Sequence, residues 1–185
     1  MKMNEYIDLV NKKIDEFMPI CYPQKIFKSM KYTVTLPGKR LRPVMCLETC
    51  RMFGGNIEDA IPTACAIEML HSQTLIHDDL PCMDNDDMRR GRPSCHKAFG
   101  YDTALLAGDA LLTHAFLAAA STVDIPPERV SRAISVLAQK AGIYGMVGGQ
   151  VMDLDFEKNG ANGGELTAMY IKKTSCLLEC RACGS

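Results

Sequence analysis

Apolar residues recur at helical spacing from the start of the chain. Tyr6, Ile7, Val10, Ile14 and Phe17 predict an amphipathic helix over 3–18. Pro19 and Pro23 interrupt it, and a weaker helix follows over 24–32. Thr33 to Gly38 reads as a short connection ending in a turn. Residues 43–53 form a largely apolar helix, with Pro43 suited to its first turn and Gly54-Gly55-Asn56 stopping it. Another long helix runs over 57–77. It closes near Leu80, because Pro81 has no N–H and disfavours helix in the residue before it. Residues 85–101 are a polar loop, after which Asp102 is placed to cap a helix reaching about Thr122. That helix is apolar on almost every side and is therefore expected at the centre. Pro126-Pro127 starts a helix to about Val147. Gly142, Gly145, Gly148 and Gly149 cluster at its end, and since glycine inside a helix costs about 1 kcal/mol each, they mark a kink or close packing beside a ligand. A polar, glycine-rich turn at 158–164 precedes a last helix from Leu166. With no strand and no repeat in the pattern, the fold class is all-α: a single-domain bundle over 1–185, built around buried central helices.

Composition narrows the function. The chain has 185 residues, 47% of them hydrophobic and 23% charged, enough for one domain with a real core. A net charge of -1 gives no global field for nucleic acid or an anionic membrane. With no Trp and 6% aromatics, a base-stacking platform is not expected either. Nine cysteines are an odd number. Most sit in apolar helical runs (Cys46, Cys50, Cys65, Cys176, Cys180), so reduced, buried thiols in a cytoplasmic protein are expected. No apolar run is expected to reach the roughly 20 residues that span a bilayer.

The chemistry concentrates in one stretch. Asp78, Asp79, Asp84, Asp86 and Asp87 put five carboxylates within ten residues. Like charges crowd together only when cations or water neutralise them. The run before them, Ala64 to Leu70, is too apolar for a solvated surface, and acids at a helix C-terminus oppose the macrodipole. A cavity-mouth cluster for a hard cation such as Mg²⁺ is favoured over a merely acidic helix end. His71, Thr74, Leu75 and Asp78 share a helix face, while Asp84 requires the chain to fold back beyond Pro81. Gly38-Lys39-Arg40-Leu41-Arg42-Pro43 and Arg89-Arg90-Gly91-Arg92-Pro93 are basic forks suited to phosphate. Each alone is more often a solvated loop. Beside the carboxylates they predict two anion sites, one reached through Mg²⁺ and one directly. A metal-dependent hydrolase is a rival, with His77 as its only nearby water-activating group. Cys176, Cys180 and Cys183 have the spacing of a radical-enzyme iron–sulfur site, but in an apolar helix they read better as small buried residues.

Asp78-Asp79-x-x-x-x-Asp84 followed by Arg89-Arg90-Gly91 resembles the first aspartate-rich motif of the trans-isoprenyl diphosphate synthases, the farnesyl and geranylgeranyl diphosphate synthase family. Further blocks follow in family order: Gly38-Lys39-Arg40-x-Arg42-Pro43, Ala107 to Leu111, Gly148-Gly149-Gln150-x-x-Asp153-Leu154 and Lys173-Thr174. The resemblance implies an isoprenoid-synthase-like bundle and a Mg²⁺-dependent prenyltransferase. Its substrates would be isopentenyl diphosphate and an allylic diphosphate, joined head to tail. It implies that Asp78, Asp79 and Asp84 coordinate Mg²⁺ and that Arg89 and Lys173 contact the allylic diphosphate. Lys39, Arg42, His71 and Arg90 would hold isopentenyl diphosphate, and Gln150 and Thr174 would line the region where the allylic cation develops. A homodimer is also expected.

The family's second aspartate-rich motif does not occur in these 185 residues. The expectation is therefore an N-terminal portion of such an enzyme, which exposes apolar surface and self-associates through it. The alternative is a non-catalytic homolog that pairs with a complete synthase. By resemblance, product length depends on the residues four and five before the first aspartate, Thr74 and Gln73. Neither is aromatic, so C15 and C20 products both stay open, with a lean to farnesyl diphosphate over geranylgeranyl diphosphate.

Overall fold

A computed structural model describes residues 1–178. The first helix, α1 (Met3–Phe17), buries Tyr6, Val10 and Ile14, the face its apolar spacing predicts. Of these, the aliphatic Val10 and Ile14 each contribute roughly 1.5–3 kcal/mol on leaving water. Next come α2 (Gln24–Val34), α3 (Leu41–Met52) and the 22-residue α4 (Ile57–Asp78). Asn56 starts α4 by accepting a hydrogen bond from the Glu58 amide at 3.3 Å.

The polar stretch after α4 is more ordered than the sequence suggests. It holds a two-stranded hairpin, β1 (Met88–Arg89) with β2 (Arg92–Pro93), and a short helix, α5 (Cys95–Phe99). Arg89 pairs with Arg92, leaving Arg90 and Gly91 as a two-residue turn. Both have positive φ, 52° and 79°, as a type I′ turn requires. An Arg-Gly turn lacks the Asn-Gly signal by which such turns are read from sequence. Tyr32 of α2 anchors the hairpin by donating to the Pro93 carbonyl at 2.8 Å.

Helix α6 (Tyr101–Ala120) begins after Gly100, not at Asp102. The Asp102 carboxylate instead accepts from the Thr103 amide at 2.7 Å, inside the first turn. Ala104, Ala107, Gly108, Leu111, Ala115 and Ala118 form one buried stripe of mostly small residues. That stripe brings α6 against α4 in the most extensive helix contact of the fold. The opposite side is not covered: Leu106 and Leu117 are 58% and 64% exposed. By length and composition α6 could cross a membrane, which corrects the expectation that no run reaches that length. Its packing against α4 makes it a core helix.

The helix expected over 127–147 is two helices. The first, α7 (Pro127–Ala141), ends at Gly142, and α8 (Met146–Asn159) starts after Gly145. The next, α9 (Gly163–Tyr170), begins earlier than Leu166. Asn162 and Glu165 form a reciprocal capping box, with amide-to-carboxyl and amide-to-carboxamide distances of 2.8 and 3.0 Å. It leads into a π-helical turn, Ile171–Ser175, and then α10 (Cys176–Leu178). Seven cysteines lie among the described residues. Cys21 and Cys82 are exposed, the others half-buried or buried. Cys176 is buried in α10, while Cys180 and Cys183 lie outside the described residues.

Candidate functional site

A cavity of about 470 Å³ gathers residues from four parts of the chain. From α4 come His71, Gln73, Thr74 and Asp78, and from α3 comes Arg42. Helix α8 contributes Gln150, and the π turn contributes Lys173 and Thr174. The remaining wall is apolar, including Met146, Val147, Val151, Leu154 and Leu177. Eight residues assigned to the site from sequence thus meet in one place. Close backbone approach makes this possible: a Cβ on Gly149 would stand 2.3 Å from the Lys173 amide nitrogen. The glycine cluster is therefore explained by both of its expected causes, a break between α7 and α8 and tight packing of α8 on the π turn. A second cavity of about 370 Å³ lies at the other end of α4, beside Asn56, Thr63 and Arg129, and holds no motif residue.

The chain does fold back after Pro81. The Asp84 amide donates to the Asp78 carbonyl at 2.8 Å, and the Asn85 amide to the Leu80 carbonyl at 3.1 Å. Asn85 takes a positive φ of 54° to close the loop. Burial pushes the Asp78 carboxyl up to about 6. Lys173 opposes that rise, and the nearby Asp84 and Asp79 add to it. Lys173 bonds the Asp153 carboxylate. Burial pulls the Lys173 ammonium down, but that bond and the fields of Asp153, Asp78 and Asp84 outweigh it and raise the ammonium overall.

Asp79 does not line this cavity. Its carboxylate is 2% exposed and is bound by the Arg89 guanidinium, with Nε 3.0 and 3.2 Å from its two oxygens. Arg89 also reaches Asp86 at 3.2 Å. Burial outweighs Arg89 and raises the Asp79 carboxyl. Among the described residues no three Asp, Glu, His or Cys side chains converge as a ready metal cage. The donors present still fit a hard divalent cation. Mg²⁺ takes one or two carboxylates from the protein and fills its shell with water and phosphate oxygens. A buried carboxylate held high in pKa beside a second one is short of such positive charge.

Further basic groups gather along the 36–42 segment that carries Arg42. Arg90 donates to the carbonyls of Pro37 at 3.1 Å and Leu36 at 3.4 Å, lying so close to Gly38 that a Cβ there would meet its Nη1 at 2.4 Å. Lys39 is exposed in the same loop. His71 is driven down to about 3 by burial first, then by Arg42, Arg90, Arg40 and Arg89, so it is neutral in the free protein. Arg42 Nε and Gln150 Nε2 are buried donors without a hydrogen-bond partner. Buried donors are nearly always satisfied, so a site with two open ones lacks an acceptor.

His77 does not serve as a water-activating base. Its Nδ1 pairs with Gln73 at 3.0 Å and its Nε2 with the Leu105 carbonyl at 3.1 Å, and the ring lies against Gly108. With both nitrogens committed, the hydrolase reading loses its only nearby candidate. Thr74 spends its hydroxyl on the His71 carbonyl at 2.8 Å. Sequence reasoning missed Glu68, an acid inside the apolar run of α4, and left Arg40 and Asp153 without roles. For Glu68 the signal was available: a charge on a buried helix face requires a partner.

Comparisons with known proteins identify the fold and the family. The polyprenyl synthetase family profile matches residues 23–183. The chain is 49% identical over 181 residues to the heterodimeric geranylgeranyl pyrophosphate synthase large subunit 1, chloroplastic, of Arabidopsis thaliana, covering 95% of this chain and 49% of that protein. It is 48% identical to a dimethylallyltranstransferase of Fischerella ambigua, covering 85% and 46%. The chain spans about half the length of the curated relatives it matches. Among solved structures, an FPP/GFPP synthase from Zymomonas mobilis superposes with a TM-score of 0.91 at 37% identity, covering 95% of this chain and 65% of that one. A geranylgeranyl pyrophosphate synthetase from Geoglobus acetivorans gives 0.89 at 39% identity, covering 95% and 56%. An all-helical bundle, an aspartate-rich helix end facing a cavity and a profile match across most of its length establish that this chain belongs to the polyprenyl synthetase family.

Proposed function

We propose that the protein containing this chain is a Mg²⁺-dependent prenyltransferase that joins isopentenyl diphosphate to an allylic diphosphate. Geranylgeranyl diphosphate is its proposed product. The observation that carries this reading is the cavity where the open donors of Arg42 and Gln150 lie with Asp78 and Lys173. The lean toward farnesyl diphosphate gives way to the C20 alternative. The plant and archaeal relatives are named for geranylgeranyl products, and Gln73 and Thr74 add no ring to close the apolar part of the cavity.

Asp78 and Asp84, joined by Asp79 once Arg89 is drawn off, would hold Mg²⁺. When bound, the ion supplies positive charge against the diphosphate that departs. Lys173 and Arg89 carry further charge to that diphosphate. Lys39, Arg42, His71 and Arg90 hold isopentenyl diphosphate. Gln150 and Thr174 face the carbon from which the diphosphate leaves. The C1–O bond of the allylic substrate breaks, the double bond of isopentenyl diphosphate forms the new C–C bond, and the released diphosphate takes the proton lost from C2. The better-buried apolar lining, Met146 and Leu177 with Leu154 beside them, keeps water from the cation. A homodimer belongs to the same proposal, supported by the uncovered leucines of α6.

The test is incubation with Mg²⁺, isopentenyl diphosphate and a C5, C10 or C15 allylic diphosphate, followed by chain-length analysis. C20 product from the whole protein is expected. A whole protein that binds these diphosphates and never condenses them would instead be a non-catalytic partner of another synthase.

A further inference from the structure

The proposed site leaves one buried charge without a task. Glu68 lies on α4 one turn before His71, and its side chain is 4% exposed. Arg40, 3% exposed, donates to it at 2.7 Å through Nη1. The same guanidinium donates through Nε to the Asn11 carboxamide oxygen of α1 at 2.9 Å and through Nη2 to the Leu36 carbonyl at 3.1 Å. Every face of Arg40 is thus spent inside the protein, and none is offered to a ligand. Its backbone sits at φ 47° and ψ 35°, a left-handed conformation that L side chains rarely adopt. The chain accepts that conformation immediately between Lys39 and Arg42.

The Leu36 carbonyl is the hinge of this arrangement, because Arg90 of the hairpin turn also donates to it. Arg40 holds the 36–42 segment from below while Arg90 lies across it from the loop after α4. The Glu68 carboxylate is also the acid whose field favours the charged forms of Arg42 and Arg90, against the burial that opposes them. A buried ion pair is poor evidence for stability, since apolar replacements of equal volume often do as well. Retaining one under a loop of cations points to orientation.

We propose that Arg40, Glu68 and Asn11 are positioning residues for a metal-free diphosphate site, fixing the 36–42 segment so that Lys39 and Arg42 converge with Arg90 on one diphosphate. The inference rests on reading that cluster as the isopentenyl diphosphate site. Arg40 acts through the backbone it bends, and Glu68 acts through Arg40.

The test compares the whole protein with Arg40→Met/Glu68→Leu, which removes both charges and orphans neither. Thermal unfolding reports the fold, and calorimetric titration reports isopentenyl diphosphate affinity without Mg²⁺. A near-native melting temperature with affinity weakened roughly 10- to 100-fold is expected, the scale on which lost supporting contacts act. Mg²⁺-dependent binding of geranyl diphosphate should change much less. An affinity within twofold of wild type in the folded double variant overturns the inference and leaves the site reading intact. A wild type that binds no isopentenyl diphosphate overturns both. If the double variant does not fold, Arg40→Lys decides. It keeps the charge opposite Glu68 but gives up the fork to Asn11 and Leu36, so it should weaken binding, and native affinity in that variant also overturns the inference.

Discussion

The two charged walls beside α4 are built in opposite ways. On the basic side, Arg40 and Arg90 are tied to one carbonyl, and Glu68 balances their charge. The wall is complete before any ligand arrives. On the acidic side, Asp78 and Asp84 are brought close, Asp79 is held by Arg89, and among the described residues no three donors converge as a cage. A site that grips phosphate directly can be assembled from protein charges alone, with guanidinium and carboxylate stabilising each other inside the fold. A site that grips phosphate through a metal ion has to stay short of positive charge, because any resident cation competes with the metal. Arg89 on Asp79 is such a resident. It marks the point where the two designs meet.

That contrast can be broken at either wall. Glu68→Leu alone leaves Arg40 buried without its counter-charge and should cost about 3–5 kcal/mol of stability, measured by urea unfolding. A loss below 1 kcal/mol would mean that the basic wall does not depend on the pair. Asp78→Ala should weaken Mg²⁺-dependent allylic diphosphate binding roughly 100-fold or more, the upper end of effects seen around metal sites, and spare Mg²⁺-free binding of isopentenyl diphosphate. Unchanged allylic affinity would place the metal elsewhere. Gly149→Val forces α8 from the π turn and should cost about 1–3 kcal/mol through overpacking, with weaker allylic binding because Lys173 moves.

The smallest effect is on pH dependence. His71 is depressed to about 3 in the fold, against its ordinary value of about 6.5. Between those values the unfolded chain binds a proton that the folded chain refuses, so His71 removes stability as pH falls from about 6.5 toward 3. Asp78, raised to about 6, acts with the opposite sign above its ordinary value, and the two offset each other around pH 4–6. His71→Gln removes one partner. Relative to wild type, the variant should gain on the order of 1–2 kcal/mol on going from pH 7.5 to 5. Parallel stability curves for the two proteins would refute the depressed imidazole.

The helical order was legible because its signals are periodic. Tyr6, Val10 and Ile14 are buried as their spacing requires, and α4 ends where Pro81 demands. The cavity was legible because its motifs carry charge in places where apolar spacing leaves no room for it. What escaped depends on geometry that spacing does not encode. The Arg90-Gly91 turn lacks Asn, so the sequence pattern predicts a loop where the fold has a hairpin. Asp102 looks like a cap, but Gly100 makes the entry. The turn from Asn162 to Glu165 did carry a capping box, and it was there to be found. The Arg40–Glu68 pair joins residues 28 apart, and only the question of who neutralises a buried acid could have suggested it.

The π-helical turn at Ile171–Ser175 bears on how this chain tolerates insertion and deletion. A π turn carries one residue more than the α turn it replaces. Removing a single residue there would restore the regular winding and leave the segments on either side close to their present register. Lys173 and Thr174 lie within the turn itself, so their directions into the cavity would change while the flanking helices stayed in place. For this segment, losing one residue would disturb the site more than the scaffold that carries it.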